Sequence, residues 1–111
     1  MDEAGLLTAH VERFNGGVRS GDFGPMLAAF APDAMLVFEG VPVGPFVGRL
    51  AIAQAYDERP PDDEVRLLGA PHVEGDEVVA DYAWAGDGGR AGRMLLSARD
   101  GAITKLVVTF E

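Results

Sequence analysis

Few side chains in this 111-residue sequence can carry covalent or proton-transfer chemistry. There is no cysteine, which excludes thiol catalysis, disulfides and cysteine-ligated zinc or iron–sulfur sites. Ser20 and Ser97 are the only serines, and neither stands in a nucleophile elbow. Two histidines, His10 and His72, leave little for a histidine-based metal site, and none is expected. What remains is carboxylate, phenol or a single imidazole. His10 stands four residues before Phe14, so the two share one helix face. It is either a base or donor that titrates near neutral pH, or a hydrogen-bonded histidine at the rim of the core.

Two other patterns fall away on inspection. Asp57-Glu58 and Asp62-Asp63-Glu64 lack the alternating ligands and mid-loop glycine of a calcium loop, and read as a solvated acidic surface. Gly86-Asp87-Gly88-Gly89-Arg90-Ala91 fits G-x-G-x-x-A, but a strand follows where a dinucleotide site needs a helix. It reads as a hairpin turn, and no cofactor is expected.

The elements that must position these groups follow from periodicity. Residues 4–20 form an amphipathic helix through Leu7, Val11, Phe14 and Val18, with Gly21 as C-cap. Asp22 is placed as N-cap of a second helix over 23–31, which Pro32 stops. Ala34–Glu39 reads as a strand and 40–48 as a loop with room for a short strand. Arg49–Glu58 is a third helix. Glu64–Glu74, Glu77–Ala85, Arg90–Arg99 and Ala102–Phe110 are extended, and Asp100-Gly101 is the strongest hairpin signal. Helices first and a meander after them give an α+β fold, expected as one domain over 1–111.

Composition narrows the partners. Hydrophobic residues make up 48% of the chain, enough for one packed core. The net charge of −9, from 18 acids against 9 bases, argues against nucleic acid and anionic membranes. The N-terminus Met1-Asp2-Glu3 lacks a signal-peptide pattern and no run reaches the ~20 apolar residues of a membrane span. A soluble, cytoplasmic protein is expected.

Three segments carry a resemblance: Gly21-Asp22-Phe23, then Leu27-Ala28-Ala29-Phe30-Ala31-Pro32-Asp33-Ala34, then Gly48-Arg49-Leu50-Ala51-Ile52 with Tyr56. Together with the element order they resemble the nuclear transport factor 2-like superfamily, which includes ketosteroid isomerases and polyketide cyclases of the SnoaL-like kind. The resemblance covers nearly the whole chain. It implies three N-terminal helices packed on a strongly curved, mixed but mainly antiparallel sheet, forming a cone around an apolar pocket. It also implies a homodimer. Asp33 matches a common family aspartate and reads as a turn residue.

Ketosteroid isomerases use a strand-end carboxylate, a helix tyrosine and a protonated aspartate. Carried over by position, the tyrosine falls on Phe14 and the aspartate on about Met94, so two of the three groups are missing. The carboxylate position falls on Phe38 counted forward from Asp33, or on Glu39 counted back from Gly48. A one-residue slip turns a strand side chain to the other face. Glu39 is therefore either a pocket carboxylate with a raised pKa or a solvated strand end. Tyr56 is either the pocket's hydroxyl donor or a core tyrosine with an exposed tip. Tyr82 and Trp84 share a sheet face that is either the pocket wall or a dimer interface.

The pocket expected from this resemblance is lined by Phe14, Phe30, Phe38, Tyr56, Tyr82, Trp84, Met94, Val108 and Phe110. The catalytic candidates are Glu39, His10 and Tyr56. The functional expectation is binding of a small hydrophobic molecule. Acid–base isomerase or cyclase chemistry, a non-catalytic binder, or a protein-interaction module are the alternatives it leaves open.

Overall fold

The structure, a computed structural model, describes residues 2–111. Asp2 starts the first helix: its carboxylate accepts the N–H of Gly5 at 2.8 Å, satisfying one of the free donors of a helix start. Helix α1 runs Glu3–Ser20 and ends at Gly21, whose left-handed φ of 82° returns an N–H to the Gly17 carbonyl. Its buried stripe is Leu6, Leu7, His10, Val11, Phe14 and Gly17. The Phe23 ring occupies the place where a Cβ on Gly17 would sit, so the missing side chain lets the next segment pack on α1.

Helix α2 spans only Gly24–Ala28, shorter than 23–31. Phe23 takes the N-cap position, and Asp22 instead accepts the Gly24 N–H at 2.9 Å. The helix stops early because Phe30 is claimed by the sheet. It pairs with Ile103, whose N–H donates to the Ala29 carbonyl at 2.9 Å. Strand β1 is therefore Phe30–Glu39, beginning before Ala34, and Pro32 lies inside it. Proline gives no N–H to a ladder, and the register slips between Phe30 and Met35 as at a bulge.

Strand β2, Phe46–Val47, is the short strand in the 40–48 loop, and α3 is Arg49–Glu58. Strands β3 (Val65–Glu74), β4 (Glu77–Trp84), β5 (Arg90–Arg99) and β6 (Ala102–Thr109) match the four extended segments to within a residue. Asp100 at φ 53° and Gly101 at φ 80° make the tight β5–β6 turn.

The sheet order is β2-β1-β6-β5-β4-β3. The β1–β6 pair is parallel and the others are antiparallel. The result is the expected cone: three helices on one face of a mixed, open sheet. Leu36, Leu106, Leu96 and Val78 align across four strands and are fully buried on the inner face. Phe38, Val108, Met94 and Ala80 form the next inner row. On the outer face Val37, Val107, Leu95 and Val79 line up in the same way.

Candidate functional site

A cavity of about 420 Å³ opens between α1, the C-terminal end of α3, the 43–46 loop and the sheet. Each wall residue has a local reason to be there. Phe14 follows the buried stripe of α1. Phe38 is on the inner face of β1, opposite Val108, and Trp84 ends β4. Val43 and Phe46 come from the loop before α3, and Ala55, Tyr56, Glu58, Arg59 and Pro61 from the end of α3 and just beyond it. The Phe38 and Phe46 rings meet edge-on, with centroids 6.2 Å apart. Five aromatic side chains thus face a space large enough for a small ring system.

Of the nine expected pocket residues, Phe14, Phe38, Tyr56 and Trp84 line this cavity; the other five do not. Phe30, Met94 and Val108 are core residues under the helices. Tyr82 is fully buried and donates its hydroxyl to the Thr109 carbonyl at 2.9 Å. Burial pushes its phenol up to about 12, with the Glu111 charge adding to the shift. Phe110 packs behind the wall, its ring 5.9 Å from Phe38, 6.5 Å from Tyr82 and 6.4 Å from Trp84. Tyr82 and Phe110 fill the depth of the cone, so the open space is confined to its mouth.

The three catalytic candidates are not brought together. Glu39 is exposed and pairs with Thr109 on the outer side of β1, while Phe38 takes the inward position. The pocket-carboxylate reading of Glu39 is corrected by this register. His10 is 2% exposed and lies in the core rather than on the cavity, with its ring edge-on to Phe30 at 5.8 Å. Its Nδ1 has no hydrogen-bond partner. Burial first, and the Arg13 charge second, lower its pKa to about 4. It is thus neither at a rim nor poised for exchange near neutral pH.

Tyr56 is the candidate the structure does put on the cavity. Its ring is 5.1 Å from Phe23 and 6.4 Å from Phe14, and loss of solvent raises its phenol above the ordinary value. A phenol of that kind stays protonated and works as a neutral hydrogen-bond donor, not as a base.

Sequence reasoning missed Val43, Phe46, Ala55, Glu58, Arg59 and Pro61. The one signal that could have found Arg59 is its place three residues after Tyr56, on the same side of the helix end. Among the described residues no cluster of histidine and carboxylates could hold a metal ion, and no helix is long and apolar enough to cross a membrane.

The same architecture recurs in solved structures. A nuclear transport factor 2-like protein of unknown function from Burkholderia xenovorans superposes with a TM-score of 0.71 at 14% identity, covering 98% of this chain and 85% of its own. A computationally designed binder of 17-OHP gives 0.70 at 18% identity, covering 96% and 91%. A protein from Sinorhizobium meliloti, described provisionally as a polyketide cyclase, gives 0.63 at 21% identity, covering 90% and 93%. At such identities the likeness is one of fold. No curated protein matches the sequence. The profile of the SnoaL-like domain, however, matches residues 11–106, from the middle of α1 into β6, and the chain belongs to the SnoaL-like domain family.

Proposed function

We propose that this protein binds a small, flat hydrophobic molecule in the cavity at the mouth of the cone, and that it does so without acid–base turnover of the ketosteroid isomerase kind. The observation that carries this reading is the lining. Phe14, Phe38, Phe46, Tyr56 and Trp84 supply aromatic walls, while Glu39 faces outward and His10 is sealed in the core. Aromatic walls hold a ring system by burial and by edge or offset ring contacts. The strand carboxylate and the imidazole expected to shuttle a proton both point elsewhere, and the carboxylate on the lining, Glu58, is solvent-exposed and holds the Gln54 amide. The computationally designed binder of 17-OHP with the same fold supports the reading by analogy.

Trp84 is the only tryptophan, so its emission reports directly on the cavity. Titration with a panel of two- to four-ring aromatic and alicyclic compounds should change that emission and raise the melting temperature, as ligands of the native state do. Product formation in the same mixtures, followed by mass spectrometry, would overturn the non-catalytic part. Absence of both spectral change and stabilisation across the panel would overturn the binding itself.

Pairing with a second copy belongs to the same reading. Among the described residues no helix covers the outer face of the sheet, and Val37, Val107, Leu95 and Val79 form an apolar row there, with Val107 and Val79 buried among their neighbours and Val37 and Leu95 half-buried. Apolar rows on sheet faces that no helix covers are places where subunits meet.

A further inference from the structure

The polar groups of the cavity say more about its occupant than the walls do. Of the eight arginines in the sequence, Arg19, Arg90 and Arg93 hold carboxylates. Arg49 and Arg66 donate to the carbonyls of Phe30 and Gly88, at 3.2 and 3.3 Å. Arg13, Arg59 and Arg99 have no such acceptor among the described residues, and of these Arg59 alone lines the aromatic cavity, where it is the one cationic side chain. Its backbone N–H closes the last turn of α3 on the Ala55 carbonyl at 3.0 Å, which fixes where the side chain starts.

One acid, Glu58, shares the mouth, but its Oε1 accepts the Gln54 side-chain amide at 3.0 Å. Gln54 borders a separate recess between α2 and α3, so one Glu58 oxygen is engaged from that side. Tyr56 also lines the cavity and borders the neighbouring recess as well. Arg59 is therefore the cavity's cation without a carboxylate or carbonyl partner, beside a Glu58 that already has one oxygen engaged by Gln54.

We propose that the occupant is an apolar carboxylate, its ring system lying among Phe14, Phe38, Phe46 and Trp84 and its carboxylate meeting the guanidinium of Arg59 at the mouth. The planar guanidinium presents two parallel N–H groups that match the two oxygens of a carboxylate, and it stands at the edge of an apolar space. The net charge of −9 repels anions from the rest of the surface, which makes a local cation the requirement for anion binding. This inference rests on the reading of the cavity as a hydrophobic-ligand site and specifies its ligand class.

Three probes of one shape test it: 2-naphthoate, 2-naphthamide and 2-naphthylmethylammonium, titrated calorimetrically into the full chain at neutral pH. Naphthoate is expected to bind at least about tenfold more tightly than the amide, with the cation weakest. Arg59→Gln should bring naphthoate down to the affinity of the amide, and Arg59→Lys should retain part of the preference. Equal binding of acid and amide, tighter binding of the cation, or a preference that survives Arg59→Gln overturns the carboxylate. Binding of none of the three removes the hydrophobic-ligand reading, and the carboxylate with it. Binding of the amide alone leaves the cavity as a ligand site and rejects only the anion.

Discussion

Asn15 on α1 is paired with the backbone of Val65 through two hydrogen bonds. Its Nδ2 donates to the Val65 carbonyl and its Oδ1 accepts the Val65 N–H, both at 2.8 Å. The side-chain amide imitates one more residue of a neighbouring strand. Val65 sits opposite Trp84, and Asn15 follows Phe14. The pair therefore sets the spacing between two walls of the cavity.

Removing that pairing should be felt in both stability and binding. Asn15→Ala leaves a donor and an acceptor of half-buried backbone without partners, at a cost of about 2 kcal/mol. Chemical denaturation checks the magnitude. Ligand affinity of the folded variant should also fall, because Phe14 and Trp84 lose their common reference.

His10 gives stability a pH dependence with a definite sign. Its pKa is about 4 in the folded protein and about 6.5 in an unfolded chain. Between those values the unfolded chain binds the extra proton, so stability rises with pH. The contribution is complete above about pH 6.5 and is lost as pH falls toward 4, about 3 kcal/mol in all. His10→Leu should flatten this slope in melts taken between pH 4 and 7. An unchanged slope would move the effect to other groups.

Glu39→Gln should leave ligand binding unaltered, since the side chain is exposed on the outer side of β1. Phe38→Ala, one residue earlier, should weaken binding by about tenfold or more through lost aromatic contact. The contrast between these neighbours, read by Trp84 emission, tests the register of β1 directly.

Leu95→Arg should abolish self-association while the fold is retained. Leu95 stands between Val79 and Val107 on the uncovered face, and an arginine there would place like charges against each other across a two-fold contact. Sedimentation of the two proteins at equal concentration gives the answer. A wild-type protein that sediments as a monomer would refute the pairing.

The parts of the fold written in periodicity were legible. Leu7, Val11 and Phe14 mark α1, and Asp100-Gly101 fixes the last hairpin. The end of α2 was not, because Phe30 suits helix or strand equally and only its pairing with Ile103, far along the chain, decides. The choice between Phe38 and Glu39 is of the same kind. Counting back from Gly48 through the 40–48 loop slips by one residue, whereas the match of Phe38 to Val108 settles the face. Val43, Phe46 and Pro61 lie in segments broken by glycine and proline, whose course no repeat encodes. Tyr82 and Trp84 were rightly put on one face, but which of them reaches open space depends on the volume filled by Phe110.

The parallel pairing of β1 with β6 has a kinetic side. Strands β3 to β6 join through short turns and can zip as successive hairpins, whereas Leu36 must find Leu106 about 70 residues away. Contacts of such long range are slow to form, because the chain closes a large loop before any energy is returned. Phe38 gains its inner-face neighbour only in that step, so the cavity wall is completed late. During synthesis β1 must wait, with the edge that meets β6 unpaired, until the last strand has emerged. That interval, more than the finished fold, is when this chain is most exposed to aggregation and to the attention of chaperones.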